Sequence, residues 1–366
     1  MKRRRTALLL AVSSLLSVSP VSAQSLLPSD WQLSPTLSAN YDWLRVDEDS
    51  RPFPDKTDFR RARLGLTLRG GERWQVRAEH DVENRTAPEL SLQVFLQNGR
   101  SLRFGQFKHP FLLDDVINER QTPLMEQSLA TAYAISRRIG ADFGQVGADY
   151  SFNVSVFGKR LDGLLEGVGL ATRYSRVAKR WDEGLLHLGG SLALDNPRND
   201  SARFSTRPEA GIATRSLVDT GVFVDVDQNL RVAAEALVLH GPWSLQAEHV
   251  VGRSSRGILP DFNSDASYVL ASWSPSGHAR SYKNGVVGSP KAGEGERPWD
   301  LFVRYSRIDL DDGPVLGGQQ RDWALGATWY VHPNVRLMAN HINVRSTRRG
   351  ISDDPSLFEF RIQLSY

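Results

Sequence analysis

Two arginines lie two positions apart in a segment that alternates with leucine. Arg61 and Arg63 precede Leu64 in this segment. Because successive side chains point to opposite faces of a β-strand, the two guanidinium groups share one face. A guanidinium group stays charged at neutral pH and binds phosphate in a bidentate way. The pair could therefore attract anions, or Glu79 and Asp81 on the neighbouring segment could balance its charge.

Four further basic residues flank a long stretch without regular alternation, residues 110–138. Lys108 precedes this stretch, Arg120 lies within it, and Arg137 and Arg138 close it. If this stretch lined a pore, charged side chains at the narrowest point would set the ion selectivity of that pore. All four are therefore candidates for binding anions, although in an extended segment only one of the adjacent pair would point inward.

Carboxylates occupy the same stretch and would offset this positive charge. They include Asp114, Asp115 and Glu119, and Glu126 follows further along. Their spacing does not match the ordered oxygen ligands of a calcium loop, so no metal site is expected. Capping of a short helix, or pairing with Arg120, is the preferred interpretation. Any preference for anions is therefore expected to be weak.

Signs of catalysis are few. The sequence has no Cys, which excludes a disulfide scaffold, a thiolate metal site and a cysteine nucleophile. None of the eight His lies in a recognisable hydrolase motif such as G-x-S-x-G. We therefore expect neither an enzyme nor a cofactor.

The segments that carry these charges alternate apolar and polar side chains along almost the whole chain. In residues 299–305, for example, Trp299, Leu301, Val303 and Tyr305 share one face. A period of two predicts β-strands. A soluble β-sandwich would bury the apolar face, whereas a membrane barrel turns it toward lipid and lines its interior with the charged face. Periodicity alone leaves both architectures open.

The first residues predict export. Residues 1–23 combine a basic start, a short apolar run and the small-residue sequence Val21-Ser22-Ala23, which is typical of a signal peptide. The remaining residues 24–366 are nearly neutral, so the basic pI of the full chain gives no reason to expect a nucleic-acid partner. No later stretch is apolar enough for a transmembrane helix, and a protein that spans the membrane would then have to be a closed barrel.

Three features favour the membrane barrel. About 16 alternating segments fill the chain, and the last segment, Phe358–Tyr366, alternates up to a terminal aromatic residue. Aromatic residues, among them Trp243, Tyr133 and Tyr330, recur near segment ends, where they would lie at the membrane interface. Short turns and long loops fall between the segments, and Pro275–Pro298 is among the long ones. The fold expected is an all-β, antiparallel transmembrane barrel of 16 strands in the bacterial outer membrane, in contact with its lipid and lipopolysaccharide.

Several segments in the same order resemble the phosphate-selective porin O and P family. They include Phe59–Leu64 (FRRARL), Arg103–Phe111 (RFGQFKHPF), Trp299–Asp311 (WDLFVRYSRIDLD) and Asn334–Met338 (NVRLM). The resemblance implies a barrel with a loop folded into the pore, a homotrimer, and anion selectivity. Characterised members line the pore with many Lys and Arg, whereas residues 110–138 contain no Lys.

The function expected is passive diffusion of small hydrophilic solutes, with a weak preference for anions and without dedicated phosphate specificity. A non-selective general porin is the main alternative. A non-conducting structural barrel, or one that carries an enzyme, is a further alternative, which a plugged interior would favour.

Overall fold

The computed structural model describes residues 27–47, 54–164 and 166–366, so the predicted signal peptide lies outside the described residues. Sixteen strands form the barrel wall. In chain order they are β1 (Trp31–Asp47), β2 (Lys56–Gly70), β3 (Trp74–Asp81), β4 (Thr86–Phe95), β5 (Arg100–Lys108), β6 (Arg137–Val146), β7 (Tyr150–Phe157), β8 (Gly167–Trp181), β9 (Gly184–Pro197), β10 (Val226–His240), β11 (Trp243–Arg256), β12 (Phe262–Trp273), β13 (Trp299–Asp312), β14 (Val315–His332), β15 (Val335–Arg348) and β16 (Ser356–Ser365).

Every strand pairs antiparallel with its neighbours in the chain, and the ring closes between the first strand and the last. In that closing pair Ser38 lies opposite Ser365 and Asp47 opposite Ser356. One further short strand, Ile351–Asp353, pairs only with the end of β15. Closure satisfies the backbone groups that an open sheet edge would leave unpaired. The expected fold class is confirmed, and no helix of the described residues is long and apolar enough to cross a membrane.

The two faces of the wall follow the alternation in the sequence. On β13, Leu301 and Val303 are exposed, whereas Arg304 and Ser306 are almost fully buried. The same contrast recurs around the ring, with apolar side chains outward and polar or charged ones inward. In a lipid bilayer the outward face is the one that is stable against hydrocarbon.

Tryptophans pair on the outer face near one end of the barrel. Trp243 stacks on Trp273 with ring centroids 5.3 Å apart, and Trp299 stacks on Trp329 at 5.1 Å. Such amphipathic rings suit the interface between hydrocarbon and headgroups. Two aromatics that the sequence also suggested for this role point elsewhere: Tyr133 is buried in the interior, and the Tyr330 hydroxyl donates to Asp300 inside the barrel.

The connections differ between the two ends. Both termini of the wall and six short turns lie at one end, the short-turn end, which for this architecture faces the periplasm. The opposite, long-loop end carries residues 109–136 and 198–225. Residues 275–298 form a long connection, as the sequence predicted, but they join β12 to β13 at the short-turn end and not at the end that carries the other long loops.

That exceptional connection forms a hairpin, Arg280–Lys283 with Val286–Pro290. Asn284 and Gly285 make its turn with positive φ angles of 53° and 76°, the conformation that a two-residue hairpin turn favours. The backbone carbonyl of Gly285 accepts a hydrogen bond from the inward-facing Arg173 at 2.8 Å. The hairpin therefore packs against the inside of the wall.

The hairpin also contacts the 109–136 connection, which comes from the other end. Arg280 donates to the Gln121 carbonyl at 3.3 Å, and Ser289 donates to the Arg120 carbonyl at 3.4 Å. Val287 packs in one buried apolar cluster with Leu113 of that connection. Chain segments from both ends thus meet in the interior.

Candidate functional site

A β-bulge places two consecutive arginines inside the barrel. Asn40 on β1 lies opposite Arg61, but the next residue, Tyr41, lies opposite Phe59, so Arg60 is an extra residue in β2. A bulge breaks the strict alternation of faces. The Arg60 side chain therefore reaches Glu126 at 3.1 Å, and Arg61 is also almost fully buried, in an ion pair with Glu119. Alternation had assigned Arg60 to the outer face, which is why the sequence missed it.

A cavity of about 370 Å³ lies against the inner face of β2–β7 and the 109–136 connection. Its charged lining is strongly basic. Seven basic residues face four carboxylates: Arg61, Arg63, Arg77, Arg103, Lys108, Arg120 and Arg137 against Glu79, Glu89, Glu119 and Asp142.

A second cavity, of about 670 Å³, lies toward the long-loop end. Its lining is more basic still. Seven arginines face two carboxylates: Arg63, Arg137, Arg138, Arg160, Arg198, Arg203 and Arg231 against Glu166 and Asp195.

The two cavities share Arg63 and Arg137 in their linings. Arg63 extends from β2, and Arg137 is the first residue of β6. A solute that moved along this wall from one cavity to the other would pass both guanidinium groups. These two side chains are therefore the best candidates for the charges at the narrowest point.

All six basic residues singled out from the sequence line one or both cavities. Arg63 is balanced by Asp81 at 3.1 Å and Glu79 at 3.3 Å, as the alternative interpretation expected. Lys108 pairs with Asp115 at 3.2 Å, and Arg138 pairs with Glu166. No ion pair involves Arg120 or Arg137 within the described residues, so their charges are available to solutes.

The expectation that only one of the adjacent Arg137 and Arg138 points inward was wrong, because both line cavities. They begin β6 directly after Ser136, whose φ is 62°. Arg137 and Arg138 form the last pairs between β5 and β6, so the alternation of a regular strand does not determine the direction of both side chains.

Two of the expected offsetting carboxylates contribute little to the cavities. Asp114 accepts a hydrogen bond from the Ser128 amide at 2.7 Å and lines neither cavity. Asp115 forms an ion pair with Lys108. Of the three carboxylates, only Glu119 lines a cavity. The suggested pairing of these aspartates with Arg120 was also wrong. No group of three or more potential metal ligands occurs in the described residues.

Further basic residues of the cavities were not selected from the sequence. Arg77 and Arg103 line the first cavity, and Arg231 lines the second. Arg77 and Arg103 have the inward parity of their strands, since they lie opposite Thr67 and Asp142. Strand parity could therefore have found these two, whereas Arg231 depends on where residues 198–225 fold.

Three arginines from the opposite wall hold the 109–136 connection by its carbonyl groups. Arg304 on β13 donates to the Glu126 carbonyl at 3.1 Å, and Arg336 on β15 donates to the Thr122 carbonyl at 3.0 Å. Arg361 on β16 donates to the Met125 carbonyl at 2.5 Å. Two of the three belong to the sequence segments that resemble the porin family. Their geometry shows a structural role, because none of them lines the two basic cavities.

Carboxylates complete this attachment. On β11, Glu248 accepts hydrogen bonds from the Leu113 and Asp114 amides at 2.6 and 2.8 Å, where a short helix begins. From the 198–225 connection, Glu209 pairs with Arg304 and accepts from the Leu129 amide at 3.1 Å. The connection is thus fixed to the wall along its length.

Glu126 is the most heavily engaged carboxylate of the connection. It contacts Arg60 and Arg361, and Arg361 also pairs with Asp42 at 2.6 Å. Burial alone would raise the pKa of Glu126, but the arginines outweigh it and hold that pKa well below its ordinary value. A Cβ atom on Gly211 would lie within 2.3 Å of Arg60 and closer still to Glu126, so a larger residue there would displace this ion pair.

His109 contributes no charge at neutral pH. It follows β5 directly, is completely buried, and its Nε2 lies 3.1 Å from the Arg138 carbonyl. Burial lowers the pKa of His109 to about 4. The charge of the cavities near neutrality is therefore set by arginine, lysine and carboxylates alone.

Solved structures with the same fold are outer-membrane proteins. OmpT, an outer membrane protein of Vibrio cholerae, has a TM-score of 0.62 at 11% identity, covering 93% of this chain and 99% of that one. An anion-selective porin from Comamonas acidovorans has a TM-score of 0.56 at 11% identity, covering 92% of this chain and 100% of that one. At these identities the likeness shows the fold.

The sequence comparisons place the chain more closely. An uncharacterised protein of Caulobacter vibrioides is 24% identical over 307 residues, and the match covers 78% of this chain but only 62% of that protein. The family model "Phosphate-selective porin O and P" matches residues 36–366. A match of this extent confirms the resemblance seen in the sequence and places the protein in the bacterial outer membrane as a porin: the chain belongs to the phosphate-selective porin O and P family.

Proposed function

We propose that this porin conducts small anions by passive diffusion along the inner face of β2–β7. The observation that carries the proposal is the charge of the two cavities that meet at Arg63 and Arg137. Together they contain twelve basic residues and six carboxylates. In a narrow space bounded by low-dielectric walls, the nearest few charges decide which ions enter.

The 109–136 connection forms the other side of this route and acts as the pore loop that the family resemblance implies. Residues 116–120 of the connection line the first cavity. The arginines of β13, β15 and β16 and Glu248 of β11 hold the connection against the wall opposite β2–β7. The route left for solutes is therefore a passage along one wall.

The preference for anions is moderate, and the channel is not dedicated to phosphate. Every carboxylate in the first cavity lies near an arginine; Glu119, for instance, contacts Arg61 and Arg63. Such pairs reduce the field that a solute meets. The free charges of Arg120 and Arg137 leave a net attraction for anions without a closed phosphate-binding cage.

The direct test is the reversal potential of single channels in a planar bilayer under a potassium chloride gradient. We expect a potential that favours chloride over potassium and a chloride current that phosphate blocks only at millimolar concentrations. A potential that favours potassium would contradict anion conduction. Block by micromolar phosphate would contradict the absence of phosphate specificity, and a silent bilayer would favour the structural barrel.

We further propose that the protein is a homotrimer whose subunits meet at β3–β7. These five strands have only 8, 10, 9, 10 and 8 residues, whereas β13, β14 and β15 have 14, 18 and 14. A tilted strand needs about 9–11 residues to cross the hydrocarbon core. Three of the five short strands just reach this length and two fall below it, whereas the other three strands exceed it. We call β3–β7 the low wall and β13–β15 the high wall. The low wall has no length to spare for lipid contact and is the side suited to contact a second subunit.

Chemical crosslinking in mild detergent should give a ladder that ends at three subunits. Val154 is exposed on the outer face of β7, within the proposed contact. Val154→Arg would bury a charge between subunits and should therefore reduce the trimer band. The same change on the high wall, Leu325→Arg, is the control, since β14 faces lipid. A ladder that stops at the monomer for the unsubstituted protein would contradict the proposal.

A further inference from the structure

A row of three arginines crosses the outer face of the high wall. Arg307 on β13 lies directly opposite Arg321 on β14, and Arg321 lies directly opposite Arg345 on β15. All three alternate with buried residues and point away from the barrel interior, and Arg321 and Arg345 are exposed. With strands about 4.8 Å apart, the row is about 10 Å long.

This arrangement is costly without a bound anion. Like charges directly opposite each other on neighbouring strands repel and destabilise the pairing. Arg307 is compensated by Asp265 at 2.6 Å and by Asp309 at 3.7 Å. Within the described residues, no ion pair compensates Arg321 or Arg345. The adjacent guanidinium groups of Arg321 and Arg345 thus present ten N–H donors outward, with no acceptor among the residues that the structure describes.

The height of the row identifies its surroundings. Arg307 and Arg321 each lie eight residues from the stacked Trp299 and Trp329 near the short-turn end. At about 3.4 Å per residue and a tilt of about 40°, the row lies about 20 Å above those tryptophans. That distance is close to the height of the apolar band, so the row lies at the headgroup level of the outer leaflet.

An apolar surface lies directly beneath the row. Trp323 and Tyr305 pack against each other at 4.9 Å, one step below the arginines, and the exposed Leu325 and Val303 follow below them. A ligand with phosphate groups above and acyl chains below would match both surfaces. Free phosphate would match only the arginines, and a soluble protein would not tolerate the apolar surface.

We propose that Arg307, Arg321 and Arg345 form a binding site for the phosphorylated headgroup of an outer-leaflet glycolipid, with its acyl chains on Trp323, Leu325 and Val303. Guanidinium groups bind phosphate in a bidentate way, which offsets the mutual repulsion of the row. The site is outside the barrel and on the side opposite β3–β7. It is therefore independent of the conduction route and compatible with the trimer.

The test is native mass spectrometry of the purified protein in detergent with lipid A as the probe. The unsubstituted protein should retain lipid A, and Arg321→Gln with Arg345→Gln should reduce its affinity at least tenfold. Arg321→Lys with Arg345→Lys should give an affinity between these two, since the charges remain but the bidentate contacts are lost. The control is Arg176→Gln with Arg297→Gln, two exposed arginines near the short-turn end and outside β3–β7 that form no ion pair within the described residues.

Lipid A stripped of its phosphates should bind the unsubstituted protein as weakly as phosphorylated lipid A binds the double glutamine variant. Inorganic phosphate at millimolar concentration should not displace lipid A. Equal retention by the double variant and the control, or no dependence on the lipid phosphates, would overturn the site. Displacement by inorganic phosphate would overturn the assignment to a lipid. Heat-modifiable mobility on gels verifies that each variant is folded.

Discussion

Replacing Arg63 and Arg137 together by glutamate is expected to convert the channel from anion to cation preference. The double substitution changes the charge at the junction of the two cavities by four units. Even at the dielectric constant of water, one unit charge at about 7 Å contributes about 0.6 kcal/mol. The permeability ratio of chloride to potassium should therefore fall by at least about tenfold, and more steeply at low salt, where screening is weaker.

The measurement is the reversal potential under a potassium chloride gradient at two ionic strengths. Arg176→Glu with Arg297→Glu carries the same change in net charge at exposed positions outside β3–β7 and should leave the potential unchanged. An unchanged potential in the Arg63 and Arg137 variant would mean that solutes take another route. Arg61 is the less informative position, because its side chain is only 5% exposed, against 15% for Arg63, so a glutamate at position 61 would be buried more completely.

Replacing Glu126 by glutamine is expected to loosen the 109–136 connection. Glu126 pairs with Arg60 and Arg361, and both arginines are largely buried. Removing one partner of a buried ion pair costs up to about 3–5 kcal/mol when charge is left without compensation. Arg361 keeps Asp42 as a partner and Arg60 is 29% exposed, so we expect a cost toward the lower end of this range. The variant should unfold at a clearly lower urea concentration, and its single-channel current should become larger and noisier.

The matched control is Glu166→Gln, which removes the partner of Arg138. Glu166 is about half exposed, and such pairs contribute at most about 1 kcal/mol. If both variants unfold at the same urea concentration, Glu126 does not hold the connection.

The depressed pKa of Glu126 adds a dependence on pH. A carboxyl whose pKa is lowered on folding contributes stability that is present above its ordinary pKa and is lost only as pH falls through the lowered value. The connection should therefore stay attached in mild acid. Current noise that rises already near pH 5 would contradict this attachment.

The wall could be predicted from the sequence because its physics is local. Alternation along β13 and β14 separates lipid-facing Leu301 and Leu325 from inward Arg304. The number of such alternating segments predicts the number of strands in the barrel. The predicted site residues follow from the same parity, as with Arg63. Arg60 was not predicted as an inward residue, because a single bulge turns its side chain to the other face and the periodicity of the sequence does not indicate a bulge.

The filling of the barrel could not be predicted, because it depends on contacts between distant segments. Nothing in the alternation indicates that Arg304, Arg336 and Arg361 hold carbonyl groups rather than line the pore. The direction in which residues 275–298 fold depends likewise on Arg173 and on Arg280, whose partners are far away in the chain. Asp114 and Asp115 were expected near solutes because the sequence does not indicate their partners, the Ser128 amide and Lys108.

The hairpin that enters from the periplasmic end also constrains assembly. It and the 109–136 connection come from opposite faces of the ring and touch through Arg280 and Gln121. Neither segment can be withdrawn without losing its contact with the other. The order of events during insertion is therefore coupled: a ring that closed first around an empty interior would still have to draw one segment in from each side of the membrane before the two could meet.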